Sequence, residues 1–575
     1  MGQRQDIVIR LGGEGGEGVI SAGEILTLGA TRSGYQAFTF RTYPSEMKGG
    51  HAWYQMRVSP GSVLSMGDQI DILVAFDDTT YETHLSDLQP HGVLMYDPDV
   101  LTPRPDPDLV TYPVPFSRIA RRQLGFPRGK NVVIVGAVAS LLGLRPSSLQ
   151  GLVEERFRRH PEAARKNLDA LQAGYDYVHD QIQKRDPFLL GHVTPAELVV
   201  MNGNASVVAA ALAAGCRFFA GYPITPASEI LEEMALTMPR IGGVCLQAED
   251  EIASLGAVLG ASYAGTRAMT ATSGPGLSLM TEFISWSGMA EVPCVIVDVQ
   301  RGGPSTGLPT KLEQSDLNHA LFGGHGDFPR IVLAAGSVED AFYQTVNAFN
   351  LSEKYQVPVI LLSDQSLSHR TEAMHIPDSA HLLFTERLKP TADSLSDGYR
   401  RYAITSSGVS PMSVPGMPGG GYIATGLEHD EMGNVNKLTA SHVLMMPKRA
   451  RKLETAMGEL PAPVRYGHDK AEVGIISWGS TEGSVREAVD EAIDAGISAA
   501  SLHLHTLYPL DTAPIREFIS SVKRIVVPEL NYSGQLADYL GSRLSIQPVR
   551  LNKYSGVPFT AREICRKLQE VACDL

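Results

Sequence analysis

Short apolar runs alternate along the chain with longer stretches whose apolar residues recur every three or four positions. The first spacing predicts buried strands and the second predicts amphipathic helices. Their alternation indicates an α/β layer fold with a largely parallel sheet. In the first part of the chain the predicted strands are Asp6–Leu11, Tyr35–Phe40, His51–Val58, Ile70–Phe76, Gly92–Tyr96 and Leu109–Pro113, and the predicted helices are Val19–Ser33, Asn131–Leu144 and those between Ser148 and Lys184.

The alternation is interrupted twice. KRDPFLLGHVTP breaks the pattern and indicates a linker, and the stretch from Ser366 to Lys448 is weakly periodic and rich in Gly, Pro and Met. A loop that long is usually functional or buried at an interface. We therefore predict three doubly wound α/β domains. The predicted boundaries are 1–184, a linker 185–197, a second domain 198–385, a connecting segment 386–465 and a third domain 466–575.

Composition narrows the class of protein. The 575 residues carry 49 Lys and Arg against 63 Asp and Glu, a net charge of −14, which argues against a nucleic-acid or anionic-membrane surface protein. MGQRQDIVIRLGG lacks the apolar core of a signal peptide, and the longest apolar run, VVIVGAVASLLGL, is too short to span a membrane. Five cysteines without C-x-x-C spacing indicate buried thiols in a reducing cytoplasm and no metal or cluster site in this chain.

The first glycine-rich loop has two interpretations. Gly13, Gly15 and Gly18 form G-x-G-x-x-G between a predicted strand and a helix, which suits a dinucleotide pyrophosphate. Glu14 and Glu17 would repel that phosphate, so a tight strand-to-helix turn is favoured. In the loop TYPSEMKGG that follows the second strand, Arg41 or Lys48 could meet an anionic ligand, although a solvated hairpin is the favoured interpretation.

Three later segments could carry chemistry. In GYPITP two prolines fix the backbone around Thr225, either to offer its hydroxyl to a substrate carboxylate or to make it a plain N-cap. In EDEIASLGAVLG, Glu251 could be a partly buried acid that meets a heterocycle, or the acids could simply complement the helix dipole. In QRGGPSTGLPTKLEQSDL, Arg301 could grip a carboxylate bidentately, or it could be an ordinary surface arginine.

Together these segments resemble a known family. GYPITPASEI, EDEIASLGAVLGASYAGTRAMTATSGPG and QRGGPSTGLPTKLEQSDL look like the α part of the 2-oxoacid:ferredoxin oxidoreductases. GGEGGEGVISAGEIL, YPSEMKGG and KNVVIVGAVASLLGL resemble the γ part of that family, here fused at the N-terminal side. EVGIISWGSTEGSVREAV, HTLYPLD and VVPELNYSGQL are similar to its transketolase-C-terminal-like domain. The order of the parts and GLEHDEMGN most resemble the large subunit of the 2-oxoglutarate-specific members.

The resemblance implies an activity and roles for particular residues. The family decarboxylates 2-oxoacids oxidatively on thiamine diphosphate, passes electrons to ferredoxin and transfers the acyl group to coenzyme A, or runs the reverse reaction. Glu251 matches the glutamate that hydrogen-bonds the aminopyrimidine ring of the cofactor. Thr225, Arg301 and Thr310 match residues around the substrate carboxylate and carbonyl, and Tyr222, Pro223 and Ile224 match the cofactor-side loop.

The chain has no GDG motif followed by Asn and no cysteine cluster motif. The absence of GDG argues against a self-contained transketolase-type transferase. The resemblance places the diphosphate, Mg²⁺ and a [4Fe–4S] cluster in a separate β subunit, in an (αβ)₂ assembly with γ fused to α. Two alternatives stay open: a paralogue acting on pyruvate, branched-chain 2-oxoacids or indolepyruvate, and a nucleotide-binding module that uses the GEGGEG loop.

Overall fold

The computed structural model describes residues 5–42, 49–191, 193, 198–378, 382–396 and 398–574. The chain forms two compact units. The first comprises residues 1–201 together with the short return 370–376, and the second comprises residues 202–369 and 377–575. Among the described helices none is both long and apolar enough to cross a bilayer.

The first unit is built on an eight-stranded mixed sheet in the order β6-β5-β4-β1-β3-β2-β14-β7. The β6-β5-β4-β1 half is parallel, whereas β1 pairs with β3, β3 with β2, and β2 with β14 in antiparallel fashion. The doubly wound prediction therefore holds for one half of this sheet, and hairpin-like pairing extends the other. The strands are β1 Ile7–Glu14, β2 Gln36–Thr42, β3 His51–Ser59, β4 Ile70–Ala75, β5 Leu88–Tyr96, β6 Val110–Pro113, β7 Leu198–Asn202 and β14 Thr371–His375.

Helices cover this sheet and bury its apolar face. The helices are α1 Val19–Arg32, α2 Asp78–His84, α3 Phe116–Arg118, α4 Lys130–Leu142, α5 Pro146–Arg156 and α6 Pro161–Gln181. The apolar run considered above as a membrane candidate becomes α4, which is buried along nearly its whole length. A Cβ on Gly136 would lie 2.0 Å from the Leu171 carbonyl oxygen, and a Cβ on Gly174 would lie 2.0 Å from that of Val133. The glycines therefore allow α4 and α6 to pack backbone against backbone.

Strand β14 comes from far along the chain. Thr371 donates its backbone N–H to Thr39 Oγ1 at 2.8 Å, and the Arg370 guanidinium lies 4.5 Å from the Phe38 ring centroid. Local periodicity does not predict this strand, because it is short and its burial depends on a partner some 330 positions earlier.

The second unit contains two sheets. The larger one has the order β18-β12-β13-β11-β10-β8-β9 and is parallel except for the edge strand β18. The smaller one has the order β15-β17-β16-β19-β20 and is parallel except for the edge strand β15. The strands are β8 Phe218–Gly221, β9 Val244–Gln247, β10 Ala268–Thr272, β11 Cys294–Gln300, β12 Ile331–Ala334, β13 Pro358–Asp364, β15 Val464–Gly467, β16 Ala471–Trp478, β17 Ala499–Leu504, β18 Thr506–Tyr508, β19 Val522–Glu529 and β20 Val549–Asn552.

Helices flank both sheets of the second unit, as doubly wound folds require. They are α7 Gly203–Ala213, α8 Ser228–Thr237, α9 Glu251–Tyr263, α10 Gly274–Leu279, α11 Thr281–Ala290, α12 Leu317–Phe322, α13 Val338–Tyr355, α14 Gln365–His369, α15 Ala392–Ser396, α16 Thr439–Ala456, α17 Glu482–Asp494, α18 Thr512–Ser520, α19 Gln535–Leu544 and α20 Ala561–Cys573.

The long segment after β14 is held to the second unit by buried charges. Glu291, at the end of α11, lies 2.5 Å from the Lys448 ammonium and 2.6 Å from that of Lys452, and all three side chains are fully buried. Arg401 is also buried and donates to the Glu291 carbonyl oxygen at 2.6 Å. The segment looks weakly periodic in sequence because part of what it buries is charged rather than apolar.

Candidate functional site

Four neighbouring strands of the larger sheet end at the same edge, and the three segments singled out in the sequence follow them. β8 and β9 end opposite one another at Gly221 and Gln247, and β10 and β11 pair Thr272 with Asp298 near their ends. The loops that follow carry YPITP, the acids before α9, TSGPG and RGGPSTGLPT. The carboxyl edge of a parallel sheet is where ligands bind in doubly wound folds, so the fold gathers the candidate residues at one edge.

Glu251 is the first residue of α9 and its side chain is buried. Asp250 caps the helix by accepting from the Ala253 backbone N–H at 2.7 Å, so capping is the task of Asp250 and not of Glu251. Burial raises the pKa of Glu251, and the negative charge of Asp250 raises it further, against an opposing hydrogen bond from its own backbone. The carboxyl group can therefore hold a proton more readily than a solvated glutamate.

The TSGPG turn lies directly against Glu251. A Cβ added to Gly276 would stand 2.6 Å from Glu251 Cγ, 2.7 Å from Glu251 Oε1 and 2.0 Å from Thr272 Oγ1. No other residue type leaves room for the carboxyl group at this position. The glycine of the turn is therefore needed for close packing against the acid.

Arg301 links the loop after β11 to the YPITP loop. Its Nη1 donates to the Thr225 carbonyl oxygen at 2.5 Å, and 7% of the residue is exposed. Its Nε has no hydrogen-bond partner among the described residues. Burial lowers the pKa of Arg301, and the neighbouring Asp316 opposes that shift. The guanidinium is held at one nitrogen and can still donate to a ligand carboxylate.

Thr225 is not a helix cap. α8 begins at Ser228 with Ala227 in the cap position, and no side chain caps it. The plain N-cap interpretation of Thr225 is therefore wrong, and its half-buried side chain stands before the helix, in the loop that Arg301 holds.

Thr310 belongs to the same folded-back loop as Arg301. Gly302 donates its N–H to the Lys311 carbonyl oxygen at 3.0 Å, and Leu308 donates to the Gly302 carbonyl oxygen at 2.8 Å. These bonds bring the backbone around buried Thr310 next to that of Arg301. Beyond the sheet edge, Tyr222 and Pro223 are exposed and Ile224 is half-buried.

A cavity of about 580 Å³ opens beside Arg301. Its walls come from the TSGPG turn, the RGGPS loop, the start of α12 and the loops before α19 and after β20. Glu251, Thr225 and Thr310 are not among its lining residues. The polar side chains that line it are Ser278, Arg301, Ser305, Glu313, Ser315, Asp316, His319, Asn531, Tyr532, Ser533, Gln535 and Tyr554.

Two buried carboxyl groups of this region, Asp316 and Asp298, were missed from the sequence. Asp316 lines the cavity, and burial together with the charge of Glu313 raises its pKa to about 6 although Arg301 opposes the shift. Asp298 lies in β11, is fully buried, and neither of its carboxyl oxygens has a hydrogen-bond partner among the described residues. The sequence did contain a signal for Asp298, since it is the one acid in the apolar run CVIVDVQ. A buried strand seldom holds an unpaired charge, so such an acid indicates a special role.

The glycine-rich loop of the first unit is a strand-to-helix turn held by backbone hydrogen bonds, one within the loop and one to Gly50. Gly15 donates to the Gly50 carbonyl oxygen at 2.9 Å and Glu17 donates to that of Glu14 at 3.1 Å. Glu17 lies 3.1 Å from the Lys130 ammonium, and Arg41 lies 3.1 Å from Glu24. Residues 43–48 (YPSEMK), Lys48 among them, lie outside the described residues.

None of the five cysteines forms a disulfide, and none lines the cavity beside Arg301. Cys216, Cys294 and Cys565 are buried and Cys245 is half-buried, but Cys573 is exposed, contrary to the prediction for the set as a whole. Within the ranges that the structure describes, no group of three or more His, Cys, Asp or Glu side chains could hold a metal ion.

A parallel sheet whose edge loops hold a buried acid, a buried arginine and a cavity is typical of the ligand-binding domains of doubly wound enzymes. Comparison with known families agrees with this class. Residues 209–448 match the family described as pyruvate flavodoxin/ferredoxin oxidoreductase, thiamine diphosphate-binding. Residues 8–177 match pyruvate ferredoxin/flavodoxin oxidoreductase, and residues 471–562 match pyruvate:ferredoxin oxidoreductase core domain II.

Whole-chain relatives make the assignment specific. The chain is 31% identical to the 2-oxoacid:ferredoxin oxidoreductase 2 subunit alpha of Aeropyrum pernix, over 98% of both chains. It is 32% identical to the 2-oxoglutarate oxidoreductase subunit KorA of Mycobacterium tuberculosis, over 98% of this chain and 91% of that one. A solved structure of 2-oxoglutarate:ferredoxin oxidoreductase from Magnetococcus marinus matches with a TM-score of 0.95 and 40% identity, over 99% of this chain and 100% of that one. The chain belongs to the 2-oxoacid:ferredoxin oxidoreductase family and corresponds to its α subunits.

Proposed function

We propose that this chain is the fused γα subunit of a 2-oxoglutarate:ferredoxin oxidoreductase, which converts 2-oxoglutarate and coenzyme A to succinyl-CoA and CO₂ with electrons passed to ferredoxin, or runs the reverse reaction. The observation that carries the substrate assignment is the match to the Magnetococcus marinus structure, which was solved with 2-oxoglutarate, coenzyme A and succinyl-CoA bound. The naming of the M. tuberculosis relative as a 2-oxoglutarate oxidoreductase subunit supports the same substrate.

The residues at the head of α9 fit the pyrimidine half of thiamine diphosphate. Glu251 is buried, its pKa is raised, and the glycine of the TSGPG turn leaves a close-packed cradle beside it. A carboxyl group in such a place can share a proton with a ring nitrogen instead of pairing with a cation. When bound, thiamine diphosphate supplies the electron sink that loss of CO₂ from a 2-oxoacid requires. Tyr222, Pro223 and Ile224 would lie on the cofactor side of this cradle.

Arg301 is the residue that we propose for the substrate carboxylate. A guanidinium fixed by the Thr225 carbonyl oxygen has donors left for a planar carboxylate, and its burial strengthens that contact. Thr225 and Thr310 flank it from the two loops and would position the carbonyl end of the substrate. Their contribution would be orientation, since neither hydroxyl is a strong acid or base.

A partner β subunit would complete the site. We propose that it brings the diphosphate, Mg²⁺ and the [4Fe–4S] cluster that passes electrons to ferredoxin, in an (αβ)₂ assembly. Large apolar side chains are exposed around the cradle, at Tyr222, Val244, Leu246, Ile252 and Leu279. Several exposed large apolar side chains in one region are typical of a protein interface, which supports a partner seated over α9.

The experiment that tests the assignment is a substrate panel. The chain is co-expressed with a β subunit from the same organism, and the purified complex is assayed with coenzyme A and ferredoxin against 2-oxoglutarate, pyruvate, branched-chain 2-oxoacids and indolepyruvate. We expect the highest kcat/KM for 2-oxoglutarate. A preference of tenfold or more for another 2-oxoacid would contradict the substrate assignment and leave the family assignment intact.

A further inference from the structure

Asp316, the acidic residue at the start of α12, does not cap that helix with its side chain. Asp316 occupies the N-cap position of α12, yet its side chain accepts no capping hydrogen bond from that helix. It is turned toward the TSGPG turn instead: a Cβ added to Gly274 would lie 2.6 and 2.7 Å from its two carboxyl oxygens. Its backbone N–H is bound separately, by Gln300 Oε1 at 3.1 Å. The side chain is therefore directed to the cavity rather than to its own helix.

A second carboxyl group lies behind the first. Asp298 precedes Gln300 by two residues in β11, is 0% exposed, and has two carboxyl oxygens without hydrogen-bond partners among the described residues. Asp316 Oδ2 is likewise buried without such a partner. An unpaired buried carboxylate is costly, and two neighbouring ones cannot both stay ionised at ordinary cost. The pair therefore retains at least one proton near neutral pH.

The only cation that acts on this pair within the described part of the chain is Arg301. The groups that act on Asp316 are Asp298, Arg301 and Glu313, and the other titratable side chains around the cavity are His319, Tyr532 and Tyr554. Arg301 lowers the pKa of Asp316, so an ionised Asp316 would balance the Arg301 charge in the absence of substrate. A bound carboxylate would take over that balance and leave Asp316 as a second buried negative charge beside it.

We infer that Asp298 and Asp316 are positioning residues for Arg301: Asp316 serves as its counter-ion in the free enzyme and takes up a proton from solvent when the carboxylate of the 2-oxoacid binds. This inference rests on the proposed function. Loss of the substrate carboxylate as CO₂ then leaves Arg301 without an anion, so Asp316 releases the proton again. The pair makes or breaks no bond of the substrate: the proton comes from solvent, forms an O–H bond on Asp316 and returns to solvent, so only the charge around Arg301 changes.

The direction of the pH effect follows from linkage. Asp316 is ionised above pH 6 in the free enzyme, so binding that requires its protonation weakens as the pH rises. Between pH 6 and the pKa of Asp316 in the bound state, kcat/KM for the 2-oxoacid should fall by up to about tenfold for each pH unit. The kcat at saturating substrate should change less, because bound substrate already holds the proton in place.

The test is calorimetric and does not require turnover. N-oxalylglycine, a 2-oxoglutarate analogue that cannot lose CO₂, is titrated into the assembled complex with β at pH 7 in phosphate and in Tris, whose ionisation enthalpies differ. The wild-type complex should take up close to one proton per site, Asp316→Asn should take up none, and Asp316→Glu should restore the uptake. Glu313→Gln, which removes a neighbouring carboxylate from the same cavity, should retain it.

The outcomes separate the inference from the function on which it rests. Binding of the analogue without proton uptake by the wild type, or with undiminished uptake by Asp316→Asn, would overturn the role of the pair and leave the proposed function standing. Failure of the wild-type complex both to bind the analogue and to turn over any 2-oxoacid would overturn the proposed function and the inference together. The dependence of kcat/KM on pH provides a second measurement. For Asp316→Asn it should stay constant over the pH range in which kcat/KM of the wild type falls.

Discussion

At the scale of single residues, the site depends on groups whose surroundings change their ordinary chemistry. Glu251 is an acid kept out of water at the head of a helix that Asp250 already caps. Arg301 is a cation held at one nitrogen by a backbone carbonyl oxygen. In each case a neighbour does the structural work, which leaves the side chain itself available for a ligand.

Replacing Glu251 by Gln tests whether the acid acts on the cofactor. We expect kcat of the assembled complex to fall by about 100-fold or more, since the amide cannot exchange a proton with the ring, while the melting temperature stays within a few degrees. Glu249→Gln, which changes an exposed acid two residues earlier, is the matched control and should keep wild-type rates. Wild-type turnover by Glu251→Gln would remove the residue from the mechanism.

Replacing Arg301 by Ala tests the carboxylate contact. We expect KM for every 2-oxoacid to rise and kcat/KM to fall by about 100-fold or more, because a preorganised charge is lost from a buried site. Arg301→Lys should recover only part of the loss, since an ammonium cannot bind a carboxylate bidentately. Arg240→Ala, at an exposed position, serves as the control. An unchanged KM in Arg301→Ala would mean that the carboxylate binds elsewhere.

At the scale of secondary-structure elements, the apolar pattern predicted the strands and helices whose formation depends on residues close by in the sequence. β1, α1, β3 and β4 begin within one residue of their predicted starts and end within three residues of their predicted ends, because each has a strong apolar period and a clear cap or turn. β14 and α13 were missed. β14 forms through a pairing with the distant strand β2. α13 buries Gln, Thr, Ser and Glu side chains among its apolar ones, which weakens its helical period of apolar residues.

The docking of α16 illustrates why the connecting segment could not be predicted. Its buried residues include Lys448 and Lys452, whose ammonium groups contact Glu291, and no hydrophobic period indicates such a cluster. Burial lowers the pKa of Lys448 to about 8 and that of Lys452 to about 7, although Glu291 opposes both shifts.

Removing the Glu291 carboxylate, which Lys448 and Lys452 share, should destabilise the packing of α16. We expect Glu291→Gln to lower the free energy of unfolding by about 3–5 kcal/mol at pH 7, because two buried cations lose their partner. The loss of unfolding free energy caused by Glu291→Gln should be smaller at pH 9 than at pH 7. Over this range the two lysines lose their protons in the folded chain, whereas they would keep them in the unfolded chain. Urea unfolding at the two pH values measures it, with Glu454→Gln on the exposed side of α16 as the control. A deficit that grows with pH would contradict the account.

At the scale of the whole molecule, the sequence identified the family and the loops but not the full site. YPITP, the acids before α9 and RGGPSTGLPT were recognisable from their residues, and the sheet brings them to one edge. Asn531 and Tyr554 could not be assigned, since their place beside Arg301 in the cavity depends on how the two sheets of the second unit fold together. The domain boundaries 1–184, 185–197, 198–385, 386–465 and 466–575 and the roles of the site residues stay predictions.

The central claim is that this chain holds one half of an active site. The direct measurement is the rate of ferredoxin reduction that depends on both 2-oxoglutarate and coenzyme A, made with thiamine diphosphate and Mg²⁺ present on this chain alone, on the β subunit alone and on the two combined. We predict turnover by the combined subunits only, and iron–sulfur absorbance in the β preparation and the complex but not in this chain. Turnover by this chain alone would contradict the claim.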